Sequence, residues 1–138
     1  MGKINLRRVL IGGLVAGLVI NIFEFVRNTF FLGAEWHETL TSAGRHSLPG
    51  AALIFLIWGF LMGIGAIWLY AAARPRFGPG IKTAVLTGVA FWALSSALCA
   101  IDEAAVGMYP LRLVTVLALV CLVQAVVASV AGAWFYRE

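Results

Sequence analysis

Four long apolar runs, at about 8–32, 50–73, 82–102 and 111–136, constrain this chain more than any other feature. A helix needs about 20 apolar residues to cross the roughly 30 Å of hydrocarbon in a bilayer, and each run meets that length. Backbone groups in lipid must find their partners within the segment, so the runs are expected to be helices. Composition supports the assignment. The chain is 62% hydrophobic and 12% charged, whereas soluble domains are about half apolar and about a quarter charged. A soluble domain of 138 residues leaves too much surface wet to hide so much apolar material. The expected fold is an all-α, single-domain integral membrane four-helix bundle.

The basic residues give this bundle a direction. Lys3, Arg7, Arg8, Arg74, Arg76, Lys82 and Arg137 fall on one side of four crossings. Arg45 and Arg112 fall on the other, with Glu35, Glu38, Asp102 and Glu103. The positive-inside rule therefore predicts a multipass protein with both termini in the cytoplasm. Trp68, Tyr70, Trp134 and Tyr136 are expected at the inner interface, and Trp36 and Tyr109 at the outer one. The net charge of +4 belongs to this topology, since the basic residues flank apolar runs and no nucleic-acid-binding motif is present. After the basic start KINLRR, the first run is too long for a signal-peptide core and lacks a small-residue cleavage site, so a retained span is expected.

The connections differ in character. RPRFGPG (74–80) is expected to end the second helix and form a tight hairpin, because proline and glycine resist helix continuation. In the longer GAEWHETLTSAGRHSLP (33–49), Trp36, Leu40 and Ala43 recur at helical spacing. A short amphipathic surface helix is expected there.

Polar residues inside the first run raise the functional question. Gly13, Gly17, Asn21, Glu24 and Asn28 form one stripe at steps of three and four. Small residues let membrane helices approach closely, so the stripe is expected to face protein. Matching faces are Gly59, Gly63, Ala66 and Tyr70 on the second helix, and Ala118, Cys121, Ala125, Ala128 and Gly132 on the fourth. The third offers Gly88, Trp92, Ser95, Cys99 and Asp102. Asn21 and Gln124 lie at similar depth and are expected to bond across the first and fourth helices. Arg27 can reach outward, or pair with Glu24, Asp102 or Glu103. Glu24 needs a partner or a proton, with Arg27, Asn28, Ser95 and Ser96 as candidates. Cys99 and Cys121 are outside any CxxC pattern and read as small buried hydrophobes.

No catalytic residue is assigned, because no nucleophile, phosphate-binding or dinucleotide motif occurs. Neither metal nor cofactor is expected. HETLT lacks the second histidine of a helical zinc site, leaving His37 and His46 as the histidines that a metal would have to use. The start KINLRRVLIGGLVAG, the hairpin RPRFGPG and the ending AGAWFYRE resemble a group of small four-helix bacterial membrane proteins, a resemblance that implies membrane location and no activity. The expected partners are the lipid bilayer and other membrane subunits or a second copy of the chain. The functions to weigh are, in order, a non-enzymatic accessory or assembly subunit, a proton-coupled small-molecule transporter using Glu24, and a membrane enzyme with its site at the external loop around His37 and His46.

Overall fold

A computed structural model describes residues 4–107 and 109–136, so Lys3 and Arg137 of the topology argument lie outside the described residues. Four helical segments long and apolar enough to span a membrane are present: Leu6–Phe31, Ala51–Phe77, Ile81–Val106 and Leu111–Phe135. No strand occurs among the described residues. The first span is α1 (Leu6–Val26) followed by a π-helical turn at Arg27–Phe31, and α2 is the short connecting helix Gly33–Ser42. The second span is α3 (Ala51–Phe77). The third is α4 (Ile81–Trp92), a π-helical turn at Ala93–Ala97, and α5 (Leu98–Val106). The fourth is α6 (Leu111–Phe135).

Most of the large apolar side chains on these spans are exposed, among them Leu10, Leu14, Leu18, Phe55, Leu61 and Leu119. In water such a surface would be unstable, and it suits helices that lie in lipid. The packed interior is instead built from small residues near the hairpin end, the end that carries Gly78–Gly80. There Val9, Gly12, Gly13, Ala16 and Gly17 of α1 are buried, with Gly59, Gly63, Ala66 and Ile67 of α3. α6 adds Ala125, Ala128, Ser129 and Gly132. The approach is close enough to exclude a methyl group. A Cβ on Gly63 would lie 2.2 Å from Gly17 N, and one on Gly12 would lie 2.6 Å from Gly132 O.

The second helix ends later than its sequence suggests. α3 continues through Pro75 to Phe77 and stops at Gly78, whose φ of +80° leaves the helical region. Pro75 lies in the final turn, where its missing N–H removes one helical bond, while Gly78 N still donates to Arg74 O at 2.8 Å. The Thr83 hydroxyl donates to Gly78 O at 2.7 Å, and Gly80 N–H donates to the Tyr70 hydroxyl at 3.2 Å. Tyr70 and Tyr136 meet edge to face, with ring centroids 6.0 Å apart. This end is closed.

The opposite end is different. α1 packs on α3 and α6, and α4 packs on α3 and α6. α5, beyond its π turn, reaches only α6, and among the described residues it makes no contact with α3. Residues 52–58 of α3 are accordingly all exposed. The bundle is tight at the hairpin end and splayed at the α2 end.

Candidate functional site

The polar residues of the first span lie where the tight half gives way to the splayed one. The expected single stripe divides in two. Gly13, Gly17 and Asn21 face α3: a Cβ on Gly13 or Gly17 would strike Ile64 or Phe60, and Asn21 lies against Gly59. The Asn21 amide donates to Gly17 O at 2.9 Å and to Leu56 O at 3.2 Å. The predicted Asn21–Gln124 bond is therefore not made. Equal depth does not imply equal direction, and Asn21 points to the second span while Gln124 sits on the fourth.

Glu24 belongs instead with the buried Gly12, Ala16 and Ile20, which recur every four residues: Gly12 meets Gly132 of α6, and Ile20 borders a void with Gln124 and Ala128. Its Oε2 accepts from Arg27 Nη2 in an ion pair, and its Oε1 accepts from Gln124 Nε2 at 3.2 Å. Arg27 Nη1 donates to Cys121 Sγ at 3.7 Å. Arg27 thus turns inward rather than toward the interface, and it pairs with neither Asp102 nor Glu103. Both partners of the pair are mostly buried, with 15% and 21% of their side chains exposed. Arg27 Nε and Gln124 Oε1 have no hydrogen-bond partner among the described residues.

This cluster forms one wall of a cavity of about 430 Å³ between the spans. The other walls are Ile54, Phe55 and Trp58 of α3, Val114, Leu117, Ala118 and Cys121 of α6, and residues of the third span. A side chamber of about 290 Å³ shares Glu24, Arg27, Trp36 and Phe55 and extends past Asn28 and His37. A narrow void of about 30 Å³ continues inward to Gln124, Ala125 and Ala128. Volumes of this size suit a small organic molecule.

The third span contributes differently from the expected face. Regular helical steps from Gly88 and Trp92 would continue to Ser95, Cys99 and Asp102. The π turn at 93–97 inserts an extra residue per turn, so beyond it the inward positions move on by one. Ser95, Ser96, Cys99, Ala100 and Glu103 line the cavity, whereas Asp102 is exposed and outside it. Ser95 and Ser96 are not bonded to Glu24. Ser95 Oγ donates to Phe91 O at 2.7 Å and lies 3.4 Å from Ser96 Oγ. Trp92 Nε1 donates to Ala118 O at 2.8 Å, tying the third span to the fourth just below the cavity. The cysteines are not sealed in a core: Cys99 is exposed and Cys121 half-buried, and both border the cavity.

The amphipathic helix expected in the first loop is α2, which lies over the cavity's outer end. Trp36 stacks on Tyr109 with centroids 4.8 Å apart and an interplanar angle of 24°. Arg112 Nη1 lies 3.3 Å from Glu35 Oε1 in an exposed ion pair. Trp36 lines both the cavity and its side chamber. His37 and His46 are exposed, and no group of three or more His, Cys, Asp or Glu side chains fit to hold a metal occurs among the described residues. From the sequence Glu103 reads only as a partner for Arg27; its place on the cavity wall follows from the π turn, which has no clear sequence signature. No protein-family model matches the chain, and neither curated proteins nor solved structures gave a match.

Proposed function

We propose that the bundle is a small-molecule transporter whose binding site is the cavity of the splayed half. The observation that carries this reading is the Glu24–Arg27 pair, a charged cluster at membrane depth that borders an open cavity instead of being packed shut. Ionisable groups inside spans are retained where they serve a path or a site. Two further facts support it. The two π-helical turns, Arg27–Phe31 and Ala93–Ala97, flank the same cavity, and such turns gather at functional sites. Beneath it the glycine-packed half forms a seal. With the basic end in the cytoplasm, as the charge bias favours, the cavity opens outward. In this reading Glu24, held by Arg27 and Gln124, is the carboxylate that couples proton movement to the ligand.

The test is uptake of a panel of fluorescent amphiphiles into liposomes containing the purified chain, against protein-free liposomes. Flux that responds to a pH gradient, and is lost in a folded Glu24→Gln variant, is the expected result. Absence of protein-dependent flux for the whole panel, or flux indifferent to that substitution, contradicts the reading.

An accessory or assembly subunit is the second reading. The glycine faces that would serve such packing are consumed within the chain itself. What favours a partner is the unbroken exposed run at residues 52–58. Co-purification of a stoichiometric membrane partner covering that run would put this reading first.

A further inference from the structure

The splayed half has an asymmetry that bears on what enters it. Toward the aqueous face, α2 lies across the cavity, held by the Trp36–Tyr109 stack and the Glu35–Arg112 ion pair. Toward the side, nothing among the described residues bridges α3 and α5. The edges of that gap are Ile54, Phe55 and Trp58 on one side and Cys99, Ala100 and Glu103 on the other. Both edges belong to spanning helices, so the gap faces hydrocarbon rather than water.

The charges sort by depth. Glu24 and Arg27 neutralise each other, leaving the deep walls without net charge. Glu103 lies one turn from the end of α5 and so near the end of the third span, and it has no ion-pair partner among the described residues. Trp36 lines the same cavity, so the lining offers both a carboxylate and an aromatic ring, two groups that each attract an ammonium.

Resting on the transporter reading above, we propose that the ligand is a single-chain lipid with an ammonium-bearing head, which enters sideways from the bilayer between α3 and α5. Its chain lies along Phe55 and Leu117, and its head stays at the rim beside Glu103.

The test uses the full chain in mild detergent and native mass spectrometry of bound lipid. Lysophosphatidylethanolamine and lysophosphatidylglycerol of equal chain length serve as probes, with soluble glycerophosphoethanolamine as the chainless control. The expected result is a one-to-one adduct favouring the ethanolamine lipid by about threefold to fivefold, the range of a half-exposed ion pair. Glu103→Gln should erase the preference while keeping the adduct, and Ala100→Trp should remove the adduct. Equal binding of the two lipids, or a preference that survives Glu103→Gln, overturns the head assignment. If the chainless control competes as well as the lipid, entry from the bilayer is overturned. In both cases loss of binding in Ala100→Trp leaves the cavity itself standing as a site. Adducts that persist in Ala100→Trp, or no adduct with any probe, overturn this inference, while the transporter reading is overturned separately, by the absence of flux in the liposome assay.

Discussion

At the scale of single residues, the Glu24–Arg27–Gln124 cluster decides how the chain balances stability against access. A buried charge left without its partner destabilises by about 3–5 kcal/mol, whereas replacing both partners together is far milder. Glu24→Gln is therefore expected to lower thermal stability in detergent clearly, because Arg27 loses its carboxylate. The double variant Glu24→Gln/Arg27→Gln should recover much of the loss. A double-mutant cycle measures this, and a coupling energy near zero would mean that the pair is too wet to matter. Gln124→Leu is expected to have a smaller effect, about 1–2 kcal/mol, since it removes one hydrogen bond to an ionised group. Asp102→Asn should be neutral within about 0.5 kcal/mol, as befits an exposed side chain outside the cluster.

At the scale of elements, close glycine contacts hold α1, α3 and α6 together where lipid supplies no hydrophobic drive between helices. A methyl group at Gly63 would meet backbone atoms of Gly13 and Gly17, which cannot give without parting the helices. Gly63→Ala is thus expected to destabilise by about 1–3 kcal/mol. Gly65→Ala is the control, because its Cβ would find only the Phe91 ring at 3.5 Å. Equal effects at the two positions would show that the close contact is not what holds these helices.

These faces were legible in the sequence, as were the four spans. Gly13, Gly17, Gly59, Gly63, Ala125, Ala128 and Gly132 recur at helical steps, and all are buried. What could not be read was direction around the helix axis. Periodicity placed Asn21 and Glu24 on one stripe, although one turns to α3 and the other to α6. The π turn in the third span moved Glu103 inward and Asp102 outward, and ALSSA (93–97) carries no proline or glycine to announce it. Pro75 misled in the opposite sense, since a proline in the last turn of a helix removes too little to stop it.

At the scale of the whole molecule, a sealed half and a splayed half predict unequal dynamics. Backbone amides of α5, covered only by α6, should exchange with solvent or lipid-phase water well before those of α1 near Gly13 and Gly17. Hydrogen exchange in nanodiscs resolves the two halves, and uniform protection along the third span would contradict the splayed arrangement. The topology has its own check: a membrane-impermeant thiol reagent should reach a cysteine placed at His46 from outside the cell and one placed at Arg76 from inside.

The claim that the cavity is where the chain works is tested most directly by filling it. Ala100 lies on the cavity wall and takes part in none of the bonds that join Glu24, Arg27, Gln124 and Cys121. Uptake of the amphiphile panel by liposomes carrying Ala100→Trp, compared with the unchanged chain at equal thermal stability, is the measurement. Flux abolished in the filled variant is the expected outcome. Flux that continues undiminished through a filled cavity would show that the chain acts elsewhere.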